Sequence, residues 1–391
     1  MRFGARKRIG VVMLAATLLG LFGCGRTQGP QSSRDRPPPV SVVEEDGVWW
    51  FNSSAEEHLF VVGAELSEGP EASDVAELWT EQTLSEVLGG GFNTISPTVQ
   101  IPKETFVDDL RVVSWPNSGS FDPPFAEDLV NPDDFYPDLF DEVFYGEARW
   151  QARVTSAFGR GAANLIGRSL GDSPSWAEPT DGKAHPWVEA LLCRDEESVA
   201  KRRWVGLLRS RYDSAQAAGS VYGVVDRTWE EFAVRTEWPE AADEAAARTD
   251  GHLFLELIAT RWYELRIGSL KDYDNGRVLA LSDRINGPDA PAWLYPVLGQ
   301  WVDVIYVVWP AGTPGRDAKL LEIHEGTGKP ILVGASAASG AEYAEDVRRL
   351  AELPFVVGRI EEGPAPSEVE LVEAANNQAQ ERHSSSGLSL P

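Results

Sequence analysis

The sequence predicts an α/β chain folded as a (β/α)8 TIM barrel, on three observations. Short apolar runs rich in Val, Ile and Leu alternate with amphipathic helical stretches about seven times, the pattern of a parallel sheet buried on both faces. The chain has 391 residues, and the part beyond its N-terminal Pro/Ser/Arg-rich stretch is long enough for one large barrel, which runs to ~250 residues or more. An open doubly wound sheet is the competing architecture, but no glycine-rich phosphate loop follows an early strand. Gly89-Gly90-Gly91 precedes its strand and opens no helix.

The elements follow in order. Leu59 to Glu65 reads as a buried first strand, Asp74 to Val87 as a helix stopped by the three glycines, Phe92 to Ser96 as strand two and Arg111 to Trp115 as strand three. Asp141 to Phe158 has helical spacing. Trp187 to Cys193 reads as strand four. Helices follow at Val199 to Tyr212 and around His252 to Lys271, then strands at Arg277 to Ser282 and Val302 to Trp309, a helix at Asp317 to Glu325, a strand at Pro330 to Gly334 and a helix at Gly340 to Leu350. Strand eight is open between two readings: Phe355 to Ile360 fills it, or it is missing, which would expose two unpaired sheet edges.

The N-terminus has the layout of an exported protein. Arg2, Arg6, Lys7 and Arg8 precede the apolar run Ile9 to Phe22, which is shorter than the ~20 residues of a spanning helix and ends at Leu21-Phe22-Gly23-Cys24. That tetrapeptide resembles the lipobox of bacterial lipoproteins. The resemblance implies lipid modification of Cys24 and anchoring in the cell envelope, on its periplasmic or outer face. The expected organisation is therefore a signal peptide over 1–24, a linker over 25–46, a barrel over 47–362 and a poorly ordered tail over 363–391. Beyond Cys24 the sole cysteine is Cys193, so an acylated Cys24 leaves no intramolecular disulfide. The net charge of −26 argues against nucleic acid or anionic lipid as partners and leaves the lipid anchor as the membrane attachment.

Gly47-Val48-Trp49-Trp50 with Leu59-Phe60-Val61-Val62-Gly63, then Gly91-Phe92-Asn93-Thr94, Tyr136-Pro137-Asp138-Leu139-Phe140-Asp141, Leu207 to Phe232, Leu281-Ser282-Asp283-Arg284 and Gly328-Lys329-Pro330-Ile331-Leu332 resemble, in this order, segments of the clan-A glycoside hydrolases of the beta-agarase type and of microbial beta-galactosidases. The resemblance runs from about Gly47 to Gly334. It implies the barrel, and a saccharide as ligand with no cofactor and no metal.

A retaining glycosidase needs two carboxyl groups ~5–5.5 Å apart, carried at the C-terminal ends of barrel strands. The resemblance places the acid/base at Glu196, with Asp195 where the family keeps an asparagine, though a charged turn opening a helix explains the same residues. It places the nucleophile at Ala335 in Lys329-Pro330-Ile331-Leu332-Val333-Gly334-Ala335, where a methyl can neither attack nor stabilise an oxocarbenium ion. Glu342 and Glu345 lie nearby but fit the exposed face of a helix. Asn93, Trp187, Arg284 and Trp309 are the candidate substrate-binding residues, since indoles stack on the C–H faces of sugars and strand-end polar groups face the mouth. Three functions compete: a lipid-anchored protein that binds a polysaccharide without cleaving it, an active glycosidase on a galactose-containing polysaccharide with a displaced carboxylate, and an envelope protein with no sugar ligand.

Overall fold

The computed structural model describes residues 40–52, 58–66, 85–97, 111–114, 136–157, 164–171, 173–177, 179, 184–274, 278–362 and 369–386. Two strands, β1 (Ser41–Glu45) and β2 (Val48–Asn52), form an antiparallel hairpin, and nine form one parallel sheet: β3 (Val61–Leu66), β4 (Thr94–Pro97), β5 (Arg111–Ser114), β6 (Leu165–Arg168), β7 (Leu279–Ala280), β8 (Ile285–Asn286), β9 (Ile305–Val308), β10 (Ile331–Ala335) and β11 (Val356–Glu361). Their order is β7-β6-β5-β4-β3-β11-β10-β9-β8. The ends of that order, β7 and β8, lie on one stretch of chain, and between them Leu281 bridges Val304 while the Ser282 N–H donates to the Val304 carbonyl at 3.1 Å. The sheet thus curls round to meet itself, with Leu279–Asn286 as one irregular fifth strand and eight strand positions in all. The Ser282 hydroxyl stands in for a backbone carbonyl there, accepting from the Tyr306 N–H at 2.8 Å.

Alternation along each strand divides the core in two. Val61, Val113, Ile166, Leu279, Leu281, Val304, Tyr306, Leu332 and Ile360 fill the barrel. Phe60, Val62, Ile95, Val112, Leu165, Ile305, Val307, Ile331 and Val333 face the helices. Strands buried on both faces read as continuous apolar runs, which is why β9 and β10 fall where their runs are.

The labelled helices are α1 (Glu142–Ala157), α2 (Pro186–Leu192), α3 (Val199–Arg211), α4 (Ala215–Tyr222), α5 (Trp229–Val234), α6 (Glu244–Asp274), α7 (Leu294–Gly299), α8 (Arg316–Thr327), α9 (Gly340–Leu350) and α10 (Val369–Ser386). Five of them, α2 to α6, intervene between β6 and β7. Asp250 of α6, fully buried, holds this lobe together by accepting from the hydroxyls of Tyr212 and Tyr222 at 2.7 Å each and from Arg211.

Three expectations are corrected and one open reading is decided. The run Trp187 to Cys193 is helix α2, opened by Pro186 at its first position and by His185, whose ring accepts the Trp187 N–H; proline there and Ala, Leu and Glu within favour helix. Strand four is instead β6. Strand eight exists: β11 pairs parallel with both β10 and β3, closing the edge. The linker ends before Ser41, because β1 pairs with β2 across the Asp46-Gly47 turn, both residues at positive φ (53° and 79°). Finally, the tail expected to be loose includes α10, whose Val372, Ala375 and Ala379 are buried. Its Asn376 bridges the Tyr343 hydroxyl and the Gly90 carbonyl.

Candidate functional site

Among the described residues, three strand positions deliver charge to the inside of the barrel at its C-terminal end. On β3, Glu65 shares the inner face with Val61. Arg284 follows Asp283 on the irregular fifth strand, and Glu362 comes directly after β11. Arg284 Nη2 lies 2.5 Å from Glu362 Oε2 and its Nε donates to Oε1 at 3.1 Å, a two-point pairing that matches the planar guanidinium. The Tyr306 hydroxyl, rising from the barrel interior, donates to the same Oε1 at 2.9 Å. On the other side Arg284 Nη1 stands 3.8 Å from Glu65 Oε1.

Burial is deep: Tyr306 is fully enclosed, and the side chains of Glu362, Glu65 and Arg284 are 9%, 11% and 20% exposed. Burial, reinforced by the Glu362 charge, holds the Tyr306 phenol well above its usual range, so it serves as a donor. For Arg284 burial opposes the charge, and Glu362 together with Tyr306 and Glu65 outweighs it, raising the guanidinium above its ordinary value.

Room for this cluster comes from Gly334 of β10. A Cβ there would lie 2.4 Å from Glu362 Oε1 and 3.0 Å from the Tyr306 ring. Ala335 follows, 1% exposed, and its carbonyl accepts the Glu362 N–H at 3.0 Å. The next strand-end carboxylate, Glu361, points the other way, paired with Arg359 and accepting from the Ala337 N–H.

A second buried carboxylate, Asp283, accepts from the Tyr263 hydroxyl at 3.0 Å on both oxygens, and burial lifts it to about 6, opposed chiefly by the Arg266 charge. Over it lies an aromatic cluster in which Trp176 stacks on Trp187 at 5.4 Å and meets Tyr263 at 6.1 Å and Trp293 at 6.4 Å.

Of the residues singled out from sequence, the structure brings Arg284 to the mouth and sets Ala335 at the C-terminal end of β10, in register with Glu361. Glu196 and Asp195 are exposed in the turn between α2 and α3, after a helix rather than a strand, and the Glu196 carbonyl accepts from Arg202. At the end of β6, the true strand four, Ser169, Leu170 and Gly171 carry no carboxylate. Trp187 is 2% exposed, its indole donating to the Pro137 carbonyl at 3.2 Å. Trp309 is 7% exposed and lies against Gly287 in the outer core. Asn93 stands before β4, at the end opposite the mouth, where it clamps strands one and two by donating to the Phe60 carbonyl and accepting from the Val62 N–H, both at 2.9 Å. Glu342 caps its own helix through the Ala338 N–H, and Glu345 pairs with Arg348. Cys24 lies outside the described residues. Sequence reasoning missed Glu65, Tyr306 and Glu362, although strand alternation already puts Glu65 on the inner face. Among the described residues no group of three or more His, Cys, Asp or Glu is placed to hold a metal ion, and no helix is long and apolar enough to cross a membrane.

No family model and no curated protein matches the chain. Solved structures do. An exo-beta-agarase superposes with a TM-score of 0.68 at 13% identity, covering 90% of this chain and 66% of that one. Another agarase gives 0.69 at 12%, covering 90% and 67%, and a beta-galactosidase from Rahnella 0.56 at 10%, covering 90% and 58%. The chain has a clan-A glycoside-hydrolase-like fold. It spans about two thirds of the length of those agarases. In this barrel strand seven is β10, and the position to which the sequence resemblance assigns the nucleophile is Ala335, whose carbonyl accepts the Glu362 N–H from strand eight.

Proposed function

We propose that the chain is an exported lipoprotein, tethered through Cys24, whose barrel mouth binds a polysaccharide and does not cleave it. The observation that carries this reading is the convergence of two inward carboxylates, Glu65 and Glu362, on the one guanidinium of Arg284. Retaining hydrolysis needs one carboxyl that donates a proton and another that attacks carbon. Glu362 instead accepts three hydrogen bonds from Arg284 and Tyr306, and the strand-seven position holds a methyl. A mouth with fixed acceptors and donors still suits sugar hydroxyls. The agarase and galactosidase names of the structural neighbours point to galactose-containing polysaccharides.

Calorimetry with galactose oligosaccharides, run beside a reducing-sugar assay, tests the reading. Binding without release supports it. A second reading, a glycosidase with a displaced nucleophile, is favoured by the position of Glu362 over Gly334; release at an ordinary rate that Glu362→Gln abolishes would establish that reading instead. For the anchor, Cys24→Ser should abolish labelling by a lipid precursor, and unchanged labelling would end the lipoprotein proposal.

A further inference from the structure

The mouth cluster holds two carboxylates against one guanidinium, and that guanidinium is covered. Arg284 gives Nε and Nη2 to Glu362 and turns Nη1 toward Glu65. A uronate or sulfate ester entering here meets a guanidinium whose charge is outnumbered by two carboxylates within 3.8 Å of it, and like charges at such range repel strongly where water is scarce. The arrangement is built in: Gly334 leaves the space, and the buried Tyr306 hydroxyl fixes the carboxylate that fills it. We infer that Glu362 sets the charge selectivity of the mouth, so that the site takes saccharide units without negative charge and rejects uronates and sulfated sugars. The inference rests on the mouth being the saccharide site. Glu362→Gln keeps the size and an acceptor for Tyr306, while it removes one negative charge and uncovers the Arg284 donors, which suit a carboxylate in two-point geometry.

The test titrates the full chain by calorimetry with a neutral galactose oligosaccharide and with an oligogalacturonate of the same length. The wild type should bind the neutral sugar at least tenfold more tightly, and Glu362→Gln should shift that ratio at least tenfold toward the uronate. Glu362→Asp, which keeps the charge, should preserve the wild-type preference, and adding Arg284→Gln to Glu362→Gln should remove the gain. Equal binding of the two sugars by the wild type, or an unchanged ratio in a Glu362→Gln protein with a wild-type unfolding midpoint, overturns the inference. Uronate binding by Glu362→Gln alone, with the wild type binding neither sugar, supports the selectivity while sinking the proposed neutral ligand. If neither protein binds either sugar, the saccharide site and this inference fall together.

Discussion

A Cβ on Gly334 would lie 2.4 Å from Oε1 of Glu362, so the absence of a side chain on strand seven and the presence of a carboxylate on strand eight are one structural fact. Gly334→Ala should push Glu362 off Arg284 and Tyr306, at a cost of about 1–3 kcal/mol, the usual penalty for overpacking. Removing the carboxylate as well, with Glu362→Ala, should relieve the clash. In a urea-denaturation double-mutant cycle the two changes should then couple by about 1 kcal/mol or more. Additive effects would show that the two residues do not share the space.

Asp283 predicts a pH dependence of stability. Burial raises its carboxyl to about 6, above the unfolded value of about 3.9. The native state therefore binds this proton more tightly, and the stabilisation is complete below about pH 4 and lost as pH rises through about 6. Asp283→Asn keeps an acceptor for Tyr263 and removes the titration. Its stability relative to wild type should rise by roughly 2–3 kcal/mol between pH 4 and pH 7. A difference that stays flat across that window would contradict the assignment.

The same residues show what was legible in sequence. Strands β9 and β10 and helix α3 are readable because apolar continuity or helical spacing is local. Strand β6 is not. It offers only Leu165 and Ile166 before Gly167 and Arg168, and Arg168 is tolerable in the core because its Nε meets Asp274 at 2.9 Å, a partner 106 residues away. Its place was given to the more apolar α2, whose helical signals, Pro186 and the His185 cap, were outweighed by the run of large side chains. That exchange moved the expected acid to Glu196, an exposed turn residue. Glu362 was missed because the site is assembled across strands one, five, six and eight, and the family resemblance stopped at strand seven.

The C-terminal helix should contribute to stability through Asn376. Its side chain, 1% exposed, accepts from the Tyr343 hydroxyl at 2.8 Å and donates to the Gly90 carbonyl at 2.9 Å. Asn376→Ala removes both bonds and should cost about 1–3 kcal/mol, the penalty for leaving buried polar groups unmet. Tyr343→Phe, which removes one, should cost less. Urea midpoints that do not move would mean that α10 is not held on α9 in solution.

The last prediction concerns Ala335, where restoring a carboxylate should not by itself restore hydrolysis. The residue is 1% exposed and lies in register with Glu361, so Ala335→Glu brings another carboxylate against one already paired with Arg359. Ala335→Glu combined with Glu361→Ala makes room for it. Strand seven would then carry a carboxylate, while among the described residues the end of strand four, where Ser169, Leu170 and Gly171 stand, has no acid. An oligosaccharide, whose leaving group must be protonated, should remain uncleaved by this double variant. A dinitrophenyl β-galactoside, whose leaving group departs unaided, should turn over slowly, with a burst of dinitrophenol if the glycosyl-enzyme accumulates. Cleavage of the oligosaccharide would instead reveal a working acid, and Glu196→Gln and Glu65→Gln in the same background would locate it. Loss on Glu196→Gln would mean that the turn after α2 folds over the mouth when saccharide is bound, and loss on Glu65→Gln that strand one has taken over the work of strand four.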